Sequence, residues 1–430
     1  MSRSKAITAL DIGSDTIKIL GVQKGSEVGM EVMFFDKVNS FGVQKGRVKD
    51  PAEVGKKIRE LIEKVEKRND CKIENIFVNI NGSKLQLISS HGLISVARAD
   101  KKVSNEDVER IYQEAETINL QSSNKVILDV FPKEWSLDGE REIRDPVGLQ
   151  GVRLELDANL LSIFSSDIDS IVDSLSVAGF DIDYENIVTG IIADSEAVLT
   201  PSQKELGVVL INIGAGTSSM AVFEDGRLLN LAVFPVGSAS ITNDIAIGFK
   251  TEIEIAERIK KEYGTLVEKS GKKMINFNLS PFDEEEDNFA IAVGGDGKKK
   301  KMDKAKDNSN ILSFSDKDLG KIIEARVSEI FDLVSGEMKK ISKFGLLPAG
   351  IVITGGGAKL PGIAELGKKV FKLPCRIGYP ANLRGLDKDS SLSTVCGLIM
   401  SKIDKEDIKI GGSSAGIGKK IKGFFENFIP

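Results

Sequence analysis

At the start of the chain the apolar positions fall in two runs, Ala6–Leu10 and Thr16–Leu20, separated by the polar stretch Asp11-Ile-Gly-Ser-Asp15. Two such runs around a glycine-containing turn predict a β-hairpin over Ala6–Val22. Further on, Asp50 and Pro51 form an N-cap and first-turn pair, and Val54, Ile58, Leu61, Ile62 and Val65 recur at helical spacing. That stripe predicts an amphipathic helix with one face on a core. Ser104 with Asp107 starts another, whose apolar face is Val108, Ile111, Tyr112, Ala115 and Ile118. A third runs through Ile168, Ile171, Val172 and Leu175 to Gly179, and a long fourth from Leu319 through Ile341, with its end expected at Gly345. Strands alternating with helices of this kind predict an α/β fold.

The hairpin pattern occurs twice. Val208–Ile211 is again an apolar strand, Asn212-Ile-Gly-Ala-Gly216 a glycine turn, and Thr217–Phe223 a second strand. Asp11 and Asn212 keep the same offset of 201 residues as Gly13 and Gly214. Duplication of a half-chain unit accounts for this. A third glycine turn, Thr354-Gly-Gly-Gly-Ala358, follows the apolar run Ile351–Ile353 and precedes a helix expected over Pro361–Phe371.

Composition changes this picture mainly by exclusion. The 430 residues suffice for about three domains. With 59 Lys and Arg against 64 Asp and Glu, the net charge is −5, so no global basic field is available to hold nucleic acid. Cys71, Cys375, Cys396 and the single His91 are far apart in sequence, which argues against a zinc site or a disulfide scaffold. Thr8 and Asp11 interrupt the apolar N-terminal run, unlike a signal peptide, and no run reaches the roughly 18 apolar residues of a spanning helix. A reduced, cytoplasmic compartment is expected. Residues 281–310, with Asp283–Asp287 and Lys298–Lys301, read as a solvated low-complexity insertion in which the acidic run cancels the field of the basic one. After Asp404 a polar, flexible stretch is expected. His91 reads as an exposed histidine at a strand edge with no partner placed by sequence, and Trp135 as packing.

Two hairpins with facing glycine turns would bring backbone N–H groups close to phosphate oxygens. Lys18 could neutralise a phosphate there, and Asp11 could hold a hydrated Mg²⁺. Taken singly, each turn also fits a purely structural role.

Ala9-Leu-Asp-Ile-Gly-Ser-Asp-Thr-Ile-Lys18 resembles the phosphate 1 motif of the actin/Hsp70/sugar-kinase superfamily, Asn212–Ser219 its phosphate 2 motif, and Val352–Gly362 its adenosine motif. Ala193–Thr200 resembles the first interdomain connecting helix and Ser393–Leu398 the second. Within the superfamily the chain is most similar to the FtsA family of bacterial cell-division proteins. Val126–Asp138 and Arg144–Glu155 resemble parts of that family's inserted domain 1C.

The resemblance covers nearly the whole chain and implies a two-lobed actin-like α/β fold of ribonuclease H-like repeats, with 1C inserted and a C-terminal amphipathic helix. It divides the chain into 1A (1–83, 167–201 and 387–405), 1C (84–166), 2A (202–236 and 327–386), 2B (237–326) and a linker with membrane-targeting helix (406–430). It implies ATP with Mg²⁺, held by Gly13, Ser14, Asp15 and Lys18, by Gly214, Ala215, Gly216 and Thr217, by Glu257 and Lys260, and by Gly355, Gly356 and Gly357. By themselves, Glu257 and Lys260 read as a surface pair at i,i+3 spacing. Glu196 resembles a position that orients the attacking water, and Arg326 one at the site for the C-terminal tail of the tubulin-like protein FtsZ. Further implied partners are other copies in a filament, other divisome proteins and an anionic membrane surface. Many superfamily members have Asp at the start of phosphate 2 and again seven residues later, whereas this chain has Asn212 and Ser219. That departure leaves Asp11 and Glu196 as the evident acids and implies ATP binding with weak or absent turnover.

A small-metabolite kinase of the same superfamily would need a general base that the chain does not evidently offer. An Hsp70-type chaperone would need a further substrate-binding domain. A PilM-like pilus-assembly adaptor is the nearer alternative.

The last segment speaks without the family. At helical spacing Ile417, Ile421, Phe424, Phe425, Phe428 and Ile429 fall within one arc of roughly 140°. The remaining surface carries Lys419, Lys420 and Lys422 against one acid, Glu426. Such a helix is too short to span a bilayer but suits its anionic interface, reached by the Gly/Ser-rich tether Gly411–Gly416.

Overall fold

The first hairpin forms as expected, β1 (Ile7–Ile12) pairing antiparallel with β2 (Thr16–Lys24) so that Asp11 faces Lys18. The computed structural model describes residues 6–24, 30–117, 124–267, 273–279, 311–341, 347–381 and 383–410. The segment 281–310 and the C-terminal stretch with Ile417, Ile421, Phe424, Phe425, Phe428 and Ile429 lie outside them. The chain forms two compact units, Met1–Ser240 with Val327–Pro430, and Ile241–Arg326.

In the larger unit β3 (Met30–Asn39) joins β2, and a short hairpin, β4 (Val43–Gln44) and β5 (Arg47–Val48), leads into α1 (Pro51–Asn69). Helix α1 begins where Asp50 accepts the Glu53 N–H at 3.0 Å, and it buries Val54, Ile58, Leu61, Ile62 and Val65. Each such side chain contributes about 1.5–3 kcal/mol on burial. Strand β6 (Ile76–Ile80) then lies parallel to β1.

An inserted sheet follows: β7 (Gln86–Ser95), α2 (Asn105–Glu116), β8 (Lys125–Leu137), β9 (Glu140–Ile143) and β10 (Arg153–Phe164), in strand order β7-β10-β8-β9. Ser104 and Asp107 close a reciprocal capping box at the start of α2, which ends at Glu116, so Ile118 is outside the described residues. Trp135 is buried there, its ring edge-on to Tyr112 at 5.8 Å. The β7–β10 register sets Asp157 opposite His91, whose Nδ1 lies 2.8 Å from Asp157 Oδ1 and whose Nε2 lies 3.5 Å from Glu155 Oε2. His91 therefore has two carboxylate neighbours, brought by residues too distant in sequence to be assigned to it.

The chain returns through α3 (Ser165–Ala178), which Gly179 ends at φ 92°, and β11 (Ile187–Thr189) extends the first sheet to β11-β6-β1-β2-β3. Helix α4 (Gly190–Val198) and α5 (Pro201–Leu206) lead to the second hairpin, β12 (Val208–Ile213) and β13 (Ser218–Glu224), and to β14 (Arg227–Phe234). Helices α6 (Ser238–Phe249) and α7 (Ile253–Tyr263), the pair β15 (Met274–Asn278) and β16 (Ile311–Ser315), and α8 (Asp316–Met338) come next. Helix α8 stops at Met338 rather than Gly345. Lys340 and Ile341 donate to the carbonyls of Glu337 and Met338, tightening the last turn and satisfying its acceptors.

Strand β17 (Ile351–Thr354), α9 (Ile363–Phe371), β18 (Cys375–Ile377) and β19 (Leu383–Arg384) precede α10 (Ser393–Ile410). Helix α10 continues past Asp404, because Lys405–Ile410 contains no breaker before Gly411. The second sheet has order β14-β13-β12-β17-β18. Strand β19 completes the first sheet, parallel to β3 at its edge; apart from it, each half has three antiparallel strands followed by two parallel ones, which makes the repeat seen in sequence a repeat of topology.

Helices α4 and α10 cross tightly. A Cβ added at Gly397 would lie 1.8 Å from the Ala193 carbonyl oxygen, so only glycine permits that approach. The smaller unit packs around Ile245, Ile259, Phe277, Phe314 and Ile323, with Phe249 stacked on Phe314 at 4.8 Å.

Candidate functional site

The two hairpin turns are built alike. Gly13 N–H donates to the Thr16 carbonyl at 3.1 Å, and Gly214 N–H to the Thr217 carbonyl at 2.9 Å. They also meet: a Cβ added at Gly216 would lie 2.6 Å from Ser14 Oγ and 3.1 Å from the Lys45 backbone nitrogen. Ser14 Oγ accepts the Gly46 N–H at 3.0 Å, so the β4–β5 hairpin joins the two turns. Sequence reasoning missed Lys45 and Gly46. Their positive φ values of 49° and 72° mark a tight turn, for which Lys45-Gly46 is the only local signal. Behind the second turn, Ser238 and Ala239 donate to the carbonyls of Gly214 and Ala215 at 2.8 and 3.0 Å, at the start of α6.

The third turn abuts the second. Gly355 has φ 87°, and a Cβ there would lie 2.3 Å from Asn212 Oδ1; one at Gly357 would lie 2.4 Å from Ile213 Cγ2. Gly356 meets nothing within 4 Å, so a side chain there would enter open space. Ser390 anchors the loop by accepting the Gly355 N–H at 3.1 Å and donating its hydroxyl to the Gly355 carbonyl at 2.9 Å.

The charged groups are more committed than their sequence positions show. Asp11 is buried, its Oδ1 accepting from Asn79 Nδ2 and its Oδ2 from Lys18 Nζ, both at 2.8 Å. Lys18 thus meets an acid directly across the hairpin. Asp15 is exposed at the turn. Glu196, on α4, accepts from Lys204 Nζ at 2.9 Å. In the smaller unit, Lys260 is buried and bonds Glu257 Oε2 at 2.6 Å and Thr242 Oγ1 at 2.8 Å. The expected surface pair is therefore a half-buried cluster, since α6 supplies Thr242 to the same face of α7. Burial pushes the Glu257 carboxyl up, but the bonds from Lys260 and Thr242 outweigh it and hold that group below its usual range. Arg326 forks onto Asp244, Nε to Oδ2 at 2.6 Å and a terminal nitrogen to Oδ1 at 2.9 Å, so it is ion-paired rather than simply solvated.

Asp194 is the acid missing from the sequence-based set. It is buried on α4, and its Oδ2 accepts from Asn212 Nδ2 at 2.5 Å and its Oδ1 from Thr394 Oγ1 at 2.8 Å. Burial pushes its carboxyl up to about 6, with the nearby Asp11 charge adding to the rise and the bonds from Asn212 and Thr394 opposing it. Its signal was an acidic residue within a helix whose other buried side chains, Ile191, Ala193, Ser195, Ala197 and Val198, carry no charge. Among the described residues no group of three or more His, Cys, Asp or Glu could hold a metal ion, and no helix is long and apolar enough to cross a membrane.

Two repeated mixed-sheet halves, joined by facing glycine turns and crossed by two helices, define an actin-like protein. Solved structures of this fold include a PilM-PilN type IV pilus biogenesis complex, with TM-score 0.58 and 14% identity, covering 92% of this chain and 98% of that one. MreB5 of Spiroplasma citri bound to ADP gives 0.55 and 14%, covering 95% and 99%. Family models match as "Cell division protein FtsA" over residues 209–397 and "SHS2 domain inserted in FTSA" over 82–162. The cell division protein FtsA of Bacillus subtilis (strain 168) is 31% identical, covering 93% of this chain and 84% of the relative. The chain belongs to the FtsA family of cell division proteins.

Proposed function

We propose that the chain binds ATP, assembles with copies of itself at the cytoplasmic face of the cell membrane, and tethers FtsZ there at the division site. The observation that carries the nucleotide part is the approach of the two equivalent turns, with Gly216 against Ser14. Glycine at 216 allows two backbones to converge where a phosphate chain would need both, and the space beside Gly356 suits a flat base. The bound ADP of the MreB5 structure supports the same reading.

In this reading Gly13, Ser14, Asp15, Lys18, Gly214, Ala215, Gly216 and Thr217 hold the phosphates, Glu257 and Lys260 serve the ribose and adenine, and Gly355, Gly356 and Gly357 take the purine. Asp11 has the hard oxygens that a hydrated Mg²⁺ takes, and it acts through water because both oxygens already accept protein hydrogen bonds. Glu196 is engaged by Lys204 and so is less free to orient an attacking water, in keeping with weak or absent turnover. Calorimetry with ATP and with tripolyphosphate tests the pocket. ATP should bind more tightly, and Gly356→Val should weaken ATP without unfolding the protein; undiminished affinity would reject the assignment.

The apolar arc Ile417, Ile421, Phe424, Phe425, Phe428 and Ile429 is the proposed membrane contact. Replacing Phe424 and Phe428 with Glu should abolish co-sedimentation with anionic vesicles and leave ATP binding intact. Arg326 is the proposed contact for the acidic FtsZ tail. Its fork is engaged by Asp244, so Arg326→Lys is a gentler test than charge reversal, with weaker peptide binding expected by anisotropy. The kinase and pilus-adaptor alternatives share the fold, and membership in a cell-division family favours the tether.

A further inference from the structure

We infer that Asp194 is a positioning residue that fixes Asn212 with its carbonyl oxygen toward the third glycine turn, and that it supplies from α4 the buried carboxylate the second hairpin lacks. A carboxylate has only acceptors, so Asn212 must turn its amide nitrogen toward Asp194, and the 2.5 Å contact is of that kind. The other end of the amide, Oδ1, is thereby directed at Gly355, whose missing Cβ would lie 2.3 Å from it. A neutral asparagine could present either end; beside Asp194 it presents oxygen.

Asp194 is itself held. Thr394, in the first turn of α10, donates its hydroxyl to Oδ1 at 2.8 Å, and the positive end of that helix favours an anion. The acid is also fully enclosed, so its charge acts on Asn212 with little solvent screening. Residue 212 then offers an aspartate-like oxygen without carrying the charge, and the charge sits one hydrogen bond behind it. An aspartate placed at 212 would instead set two carboxylates against each other, which is unfavourable in a buried site.

Resting on the nucleotide reading, Asn212 stands near the end of the strand that enters the second glycine turn, where its fixed amide would help hold water around a phosphate-bound cation. Two measurements test the inference on the full chain. Thermal unfolding of Asp194→Asn, Asn212→Asp and the double exchange forms the first. Each single variant should lower the midpoint and the exchange should recover most of the loss, whereas additive losses would overturn the pairing. The second is ATP affinity with Mg²⁺ and with EDTA. Asp194→Asn should weaken the Mg²⁺ arm about tenfold, the scale of a lost hydrogen bond to a charged group, and leave the EDTA arm unchanged. The exchange should restore it. Equal losses in both arms, or none, would overturn the positioning role. Absence of ATP binding to the wild type in both arms would reject the nucleotide reading, and the unfolding cycle would still decide the pairing.

Discussion

The two hairpins share a backbone and differ in charge. In the first, an acid on the strand, Asp11, is met by an amide from a neighbouring strand, Asn79, and by a cation across the hairpin, Lys18. In the second, the strand carries the amide, Asn212, the acid comes from α4 as Asp194, and the cross-strand position is Ser219. Both halves contain an Asp–Asn hydrogen bond, with the partners exchanged between strand and neighbour. One turn geometry therefore tolerates opposite placements of a buried carboxylate, provided an amide meets it. The first half neutralises its acid with a full positive charge, and the second relies on dipoles alone.

The largest test of this contrast is Lys18→Met. It leaves Asp11 buried with one amide, and unpairing a buried ion typically costs about 3–5 kcal/mol. Urea unfolding should show that loss, and adding Asp11→Asn should recover part of it. A shift within error would mean that Asn79 alone suffices.

Gly397→Ala should cost about 1–3 kcal/mol by forcing α10 off the Ala193 carbonyl. Since Thr394 rides on α10, the same variant should weaken the Asp194 site, measured as a smaller further loss on adding Asp194→Asn.

A third test uses pH. The folded Asp194 carboxyl lies at about 6, above the ordinary range near 4, so the folded state binds its proton more tightly than the unfolded chain does. The stability this contributes is fully present below about pH 4 and is lost as pH rises through about 6. Asp194→Asn should flatten the difference in unfolding midpoint across that window; an unchanged slope would place the titration elsewhere.

The smallest effect is expected for Ser14→Ala. It removes the acceptor of the Gly46 N–H and should cost about 1 kcal/mol, read by denaturant midpoint, with the β4–β5 hairpin loosened from both turns.

Much of the framework was legible from spacing. Both hairpins, the Asp50 and Ser104 caps and the repeated glycine turns depend on residues a few positions apart, where period and turn chemistry act locally. Helix ends were less legible: α8 closes at Met338, where terminal hydrogen bonds satisfy its last carbonyls, and α10 passes Asp404, because polar residues without glycine or proline do not by themselves end a helix.

The α/β alternation, the duplication and the glycine positions that let backbones converge can all be read from the order of residues, because these are properties of neighbours in the chain. How the charges pair is set by the folded arrangement. Asp11 with Asn79, Asp194 with Thr394 and His91 with Asp157 are 68, 200 and 66 residues apart. Partners at such separations are chosen by strand register and helix crossing, which no local pattern encodes. The electrostatic difference between two alike turns therefore appears only when the chain is folded.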